Sequence, residues 1–194
     1  MRRFLILALG LVLAGCSMQT RYTVEVLRHT FVAESDKSGD FGAGSLDLFL
    51  PDADGDVSTP DGGFLAQVPS AVVDHLYAAR ATLAVDLTNT GSSDLTAALD
   101  FYLAPASETA NIYQPAYRVD GASLVVPPGE TGRLVLDLRL TKDAHRAAYQ
   151  RLKDSGGAFR IGLHLSLNGD GGRYRLETAS LALTSERLGQ ILGP

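Results

Sequence analysis

Three carboxylates alternate along one segment of this chain: Asp52, Asp54 and Asp56, within Asp52-Ala-Asp54-Gly-Asp56-Val-Ser58-Thr-Pro-Asp61. Acids at alternate positions of a flexible loop can converge their oxygens on a hard cation, so the chemistry on offer is Ca²⁺ binding. The competing reading is a solvated acidic loop, which needs no metal. A second segment, Asn111-Ile-Tyr113-Gln-Pro-Ala-Tyr117-Arg118, sets two tyrosines and an arginine in irregular sequence. Tyr113, Tyr117 and Arg118 are residue types that anchor interfaces; against that, both tyrosines could fold back onto the core.

The acidic segment resembles the start of an EF-hand loop, with Asp52, Asp54 and Asp56 at its first three ligand positions. It departs from that pattern at Val57, where the sharp turn requires Gly, and at Gly63, where a bidentate Glu is expected. No flanking helix pair is evident. Asn168-Gly-Asp-Gly-Gly has metal-like composition, but its place between two alternating runs reads as a hairpin turn. The histidines, His29, His75, His145 and His164, are scattered and form no His-x-x-x-His pair. No Gly-x-Ser-x-Gly, no Cys–His arrangement and no phosphate-binding Gly-rich loop is present. The sequence therefore names no catalytic residue. A triad assembled only in space would leave no such trace.

The elements that must position these residues are strands. Residues 22–27 are rich in β-branched side chains. Residues 34–44 read as loop, and Leu46, Leu48 and Leu50 alternate with Asp47 and Phe49. After the loop over 51–63, Pro69-Ser70 opens a predicted short helix through about residue 79. Leu83, Val85 and Leu87, then Leu95, Ala97, Leu99, Phe101 and Leu103, form two alternating runs. The Gly-bearing turn over 89–94 joins them as an expected hairpin. Residues 105–120 read as irregular, and 124–126 as a short strand. Leu134, Leu136, Leu138 and Leu140 give the clearest alternation in the chain. A helix is expected over 142–154, capped by Thr141 and stopped by Gly156-Gly157. Phe159 to Leu167 and 173–184 follow as a second expected hairpin. The inward set shifts phase between Leu176 and Leu181, which places a β-bulge near Thr178-Ala179. About eight short strands, with turn signals between them, predict an all-β, immunoglobulin-like antiparallel sandwich with one short inserted helix.

The first residues are different in kind. Arg2 and Arg3 precede an apolar run over 4–13, and small residues precede Cys16, the only cysteine of 194 residues. A charged start, a short apolar run and a small-residue cut site define a secretory signal. The run is too short to cross a bilayer, which takes about 20 apolar residues. Leu13-Ala14-Gly15-Cys16 resembles the bacterial lipobox. The resemblance implies that residues 1–15 are removed and that Cys16 carries a diacylglycerol and usually an acylated amine. Ser17, the second mature residue, is compatible with export to the outer membrane in a diderm. In other bacteria the outer face of the plasma membrane is expected. Acyl chains at about 0.8 kcal/mol per buried CH₂ give durable anchoring.

The organisation that follows is a signal over 1–15, a lipidated cysteine and short tether over 16–20, and one domain over 21–194. The formal charge is −5, and loss of Arg2 and Arg3 makes the remainder more acidic. That balance argues against nucleic acid as a partner and against direct electrostatic docking on anionic lipid. The expected function is a non-enzymatic binding or structural module in the cell envelope, held at a membrane by its lipid, with other envelope proteins as partners. The alternative is a small extracytoplasmic hydrolase or Ca²⁺-dependent enzyme, its site built from loops 51–64 and 105–120.

Overall fold

The computed structural model describes residues 18–27, 32–51 and 56–187. Leu134, Leu136, Leu138 and Leu140 are all buried, while Arg133, Val135, Asp137 and Arg139 between them face out. Period-two patterning of this kind commits a segment to one wetted and one buried sheet face. The described residues form ten strands, several with the same alternation: β1 (Met18–Glu25), β2 (Ser38–Phe41), β3 (Gly44–Leu50), β4 (Phe64–Gln67), β5 (Leu76–Asn89), β6 (Leu95–Pro105), β7 (Arg118–Val126), β8 (Thr131–Leu140), β9 (Ala158–Gly169) and β10 (Gly172–Arg187). Two helices interrupt them, α1 (Ser70–Asp74) and α2 (Arg146–Asp154).

The strands form two antiparallel sheets, ordered β1-β10-β5-β8 and β3-β9-β6-β7. β2 continues the β1 side of β10, and β4 continues the β3 side of β9. The inward leucines of both sheets meet in one core, with Leu50, Leu83, Leu99, Phe101 and Phe159 almost wholly buried. The expected all-β antiparallel sandwich is therefore present, and α2 is its inserted helix. Its wiring differs from the immunoglobulin-like one. The first strands pair with the last, β3 and β4 with β9, β5 with β8, and β6 with β7. A chain folded as one long hairpin and rolled into two sheets is a jelly roll.

That wiring overturns both expected hairpins. The turn over 89–94 carries the chain from the first sheet to the second, because β5 pairs with β10 and β8 while β6 pairs with β7 and β9. The turn at 170–171 likewise joins β9 of one sheet to β10 of the other. Asp170 accepts from Ser92 Oγ at 2.8 Å, so the two crossings are tied to each other at one end of the sandwich.

Other boundaries also move: β2 lies inside the expected loop over 34–44, paired with β10, and β1 begins at Met18, inside the expected tether over 16–20. The helix expected from Pro69 to about residue 79 stops at Asp74, since Ala78 and Ala79 are claimed by the ladders to β10 and β8. Long-range pairing outweighs local helix propensity there. The helix expected over 142–154 begins at Arg146: Thr141 Oγ accepts from Ala144 N at 3.2 Å and caps a preceding turn, and His145 is not helical. Residues 118–120, expected in a loop, open β7. The expected bulge is present. Leu176 pairs with Val85 and Thr178 with Ala84, leaving Glu177 as the extra residue in β10.

Candidate functional site

The loop between β6 and β7 folds back across the outer face of the second sheet. Ile112 is its buried anchor, packed with Tyr102 and Ala104 of β6. The close approach needs a gap in the sheet, and Gly162 of β9 provides it: a Cβ there would lie 2.6 Å from Ile112 Cδ1 and 2.8 Å from the Tyr113 ring. A glycine inside a strand marks such an approach, and it is the sequence signal that could have placed this loop.

Tyr113 is half-buried. Its ring meets Phe49 and Tyr102 edge-on, with centroids at 4.9 and 5.2 Å, and its hydroxyl donates to Leu50 O at 3.1 Å. His164 stacks on the other partner, Phe49, at 4.4 Å, and its Nε2 lies 2.9 Å from Asp47 Oδ1. Tyr117 donates to Glu108 Oε2 at 3.1 Å and lies under the Arg151 guanidinium, 5.2 Å from the ring centroid. Glu108 also accepts from the amides of Asn111 and Ala110. Those donors hold its carboxyl below the usual range, backbone amide of Asn111 first, and the carboxylate in turn pushes the Tyr117 hydroxyl up. Arg118 reaches across to Asp100 of β6, 2.8 Å away, over Gly121, where a Cβ would collide with both groups. The three residues expected to bind a partner thus share one neighbourhood, but each is engaged within the chain. Tyr113 and Tyr117 both pack against side chains of their own chain.

Loops 51–64 and 105–120 do meet. Ile112 N donates to Asp61 O at 2.9 Å, and Asp61, itself buried, accepts from Gly63 N. At their junction Arg160 donates to the carbonyls of Gly62, Gly63 and Ala106 at 2.9, 3.2 and 3.1 Å. A guanidinium, fixed in charge, neutralises the oxygens that converge there. Asp52 and Asp54 lie outside the described residues, as does Cys16. Asp56 is exposed and accepts from Ser58 Oγ at 2.5 Å and from Ser58 N at 3.0 Å, which holds its carboxyl below the usual range. Among the described residues no group of three or more His, Cys, Asp or Glu side chains is placed to hold a metal ion.

One feature has no counterpart in the sequence reading. On the outer face of the first sheet, a shallow depression of about 520 Å³ is lined, among others, by Gln19 and Arg21 of β1, Tyr77 and Arg80 of β5, Asp137 and Arg139 of β8 and Thr184 of β10. These residues are scattered from position 19 to 184, so only the wiring of the sheet assembles them.

No family model matches the chain, and no curated protein matches it. Several solved structures resemble it. One is a structure of infectious bursal disease virus, Gt strain, at 13% identity and a TM-score of 0.41, over 86% of this chain and 32% of the viral one. Another is Eiger TNF from S. frugiperda, at 9% identity and a TM-score of 0.35, over 81% of this chain and 96% of that one. A third is the CBM22-1–GH10 portion of Clostridium thermocellum xylanase 10B, at 12% identity and a TM-score of 0.33, over 81% of this chain and 27% of that one. The chain spans about a third of the viral chain it resembles.

Proposed function

We propose that this chain is a membrane-anchored lipoprotein of the cell envelope, and that its sandwich is a non-enzymatic binding or structural module. The observation that carries this reading is how near to Cys16 a sheet strand is already formed. β1 starts at Met18, two residues after Cys16, and runs at once along β10. A lipid on Cys16 would localise the body with almost no spacer. The body has a buried core, and the described residues of the loops over 56–63 and 105–120 are braced by internal hydrogen bonds, a frame suited to presenting a fixed surface. Other envelope proteins are the partners such a surface would meet, and confinement to the membrane would let weak contacts suffice. The membrane is the outer one in a diderm and otherwise the plasma membrane, on its outer face.

The test is the intact mass of protein extracted from membranes, wild type against Cys16→Ala. A chain beginning at Cys16 and carrying acyl chains, absent from the variant, is the expected result. An unlipidated product cut elsewhere would refute the anchor and return the chain to the freely exported proteins, with loop-built enzymatic sites again in play.

A further inference from the structure

The arginines of the first sheet are distributed unevenly. Away from the β1 start, Arg133 pairs with Asp86 at 3.4 Å, Arg173 with Asp40 at 2.6 Å and Arg175 with Glu177 at 2.9 Å. In the depression only Arg80 is so held, by both oxygens of Asp137. Among the described residues no carboxylate bridges Arg21 or Arg139. Glu186, opposite Gln19, and Glu25, opposite Ser180, occupy flanking rows of the same ladder and bridge to neither. Among the described residues the depression therefore presents two guanidinium forks without a carboxylate partner beside a third that has one, on a chain whose formal charge is −5. It crosses all four strand positions of the sheet, about 14 Å at a strand spacing of about 4.8 Å. Tyr77, 55% exposed, stands at its rim.

We infer that this depression is the surface on which the domain rests against the phosphates of anionic phospholipids in the membrane that holds Cys16. The inference builds on the reading of Cys16 as the anchor. Gln19 is three residues from Cys16, so its Cα lies within about 11 Å of the anchor's even if the intervening chain is fully extended. The part of the body nearest the bilayer is then the β1 start, and the depression opens there. Guanidinium forks match phosphate oxygens in bidentate geometry. A tyrosine at headgroup level puts its ring toward acyl chain and its hydroxyl toward water. Charge also selects the orientation: an acidic body is repelled by an anionic leaflet everywhere except where cations face it. The acidic total, which by itself argues against electrostatic docking, thereby turns the cationic depression downward.

The chain has no tryptophan, so Tyr77→Trp supplies a single fluorescent reporter in the depression. Val125→Trp supplies one on β7 of the other sheet, where Val125 is 55% exposed. Lipidated full-length mature protein carrying either change is reconstituted into vesicles containing phosphatidylglycerol and a headgroup nitroxide lipid, and flotation records attachment. Each basic residue near an anionic surface favours it by a factor of about five, so quenching at the Tyr77 position should exceed that at Val125 by at least about threefold. Arg21→Gln with Arg139→Gln, or phosphatidylcholine vesicles, should bring the ratio to about one while the protein still floats. Equal quenching on floated wild-type background overturns the docking and leaves the anchor standing. Failure to float overturns both. A difference indifferent to lipid charge but abolished by inorganic phosphate would assign the depression to a free anion, and docking would again be overturned.

Discussion

Asn89 shows how much one side chain can specify. It is 1% exposed at the end of β5, and its polar atoms are all occupied. Nδ2 donates to Ser93 O and Val126 O, each at 2.8 Å, and Oδ1 accepts from Gly91 N at 2.9 Å. Its backbone meets Glu130 and Gly129 at 2.9 and 3.1 Å. The side chain thus latches the crossing from β5 to β6 onto the crossing from β7 to β8. Asn89→Ala would remove three hydrogen bonds, of which only the one to Val126 O is buried while water can reach Ser93 and Gly91, and a loss of about 1–2 kcal/mol is expected. Equilibrium denaturation in urea measures it. A change below about 0.5 kcal/mol would mean that water or local relaxation replaces the latch. The residue type was legible, since Asn before a Gly-bearing turn is turn chemistry. What it caps was not, because its partners at 126 and 130 are far off in sequence. The same holds for Tyr113, Tyr117 and Arg118. Their types marked a place of contact, and only the folded chain brings Tyr113 to Gly162, Tyr117 to Glu108 and Arg118 to Asp100.

At the scale of the element, the sequence pattern carried most of the information. Every alternating leucine run lies in a strand with its leucines inward, because the period of two is a property of the backbone itself. The bulge in β10 was legible for the same reason. Tyr174 and Leu176 face in, then Ala179, Leu181 and Leu183, so one extra residue has to be absorbed. The structure adds why it sits there. At Leu176 the outer neighbour of β10 changes from β2 to β1, and a bulge sharpens the twist that lets one strand serve both. Deleting Glu177 should therefore leave the inward set in phase and cost only about 1–2 kcal/mol through poorer pairing at that switch. Deleting Asp137, from a strand whose register is unbroken, should turn Leu138 and Leu140 outward and cost at least about 4 kcal/mol. Comparing the two deletions by chemical denaturation decides the matter, and equal losses would deny the bulge its role as a removable insertion. The elements that were misjudged, α1, β2 and the starts of α2 and β7, have short or irregular patterns. There the partner strand, and not the local sequence, sets the boundary.

The order in which strands come together belongs to the whole molecule, and local pattern cannot carry it. An alternating run followed by a tight turn looks the same whether the next strand lies beside it or across the sandwich. Hence the turns over 89–94 and at 170–171 read as hairpins and are crossings. A rolled hairpin also makes its most distant segments neighbours. Met18 lies opposite Arg187, and Thr20 opposite Ser185, while β6 and β7 are the one pair of consecutive strands bonded to each other among the described residues. Closing such loops costs chain entropy before any contact repays it, so folding is expected to be slow for a chain of this size. The pairing itself suggests how to test that. The ends of β1 and β10 are adjacent, so a short Gly/Ser linker can join Arg187 to Met18. The exposed turn over 142–144 offers a place to open the chain between Lys142 and Asp143. In that permutant β10 and β1 become a hairpin, and β3 and β4 come closer to β9 along the chain. The separation of β5 from β8 is unchanged, β6 and β9 move farther apart along the chain, and every strand pairing among residues 18–187 can still form. Stopped-flow refolding should accelerate by about tenfold with little change in unfolding rate if the β1–β10 pairing belongs to the transition state. An unchanged refolding rate would mean that the nucleus is the β6–β7 end of the roll, with β1 added last. In that case the segment nearest Cys16 would also be the last to lock onto the body.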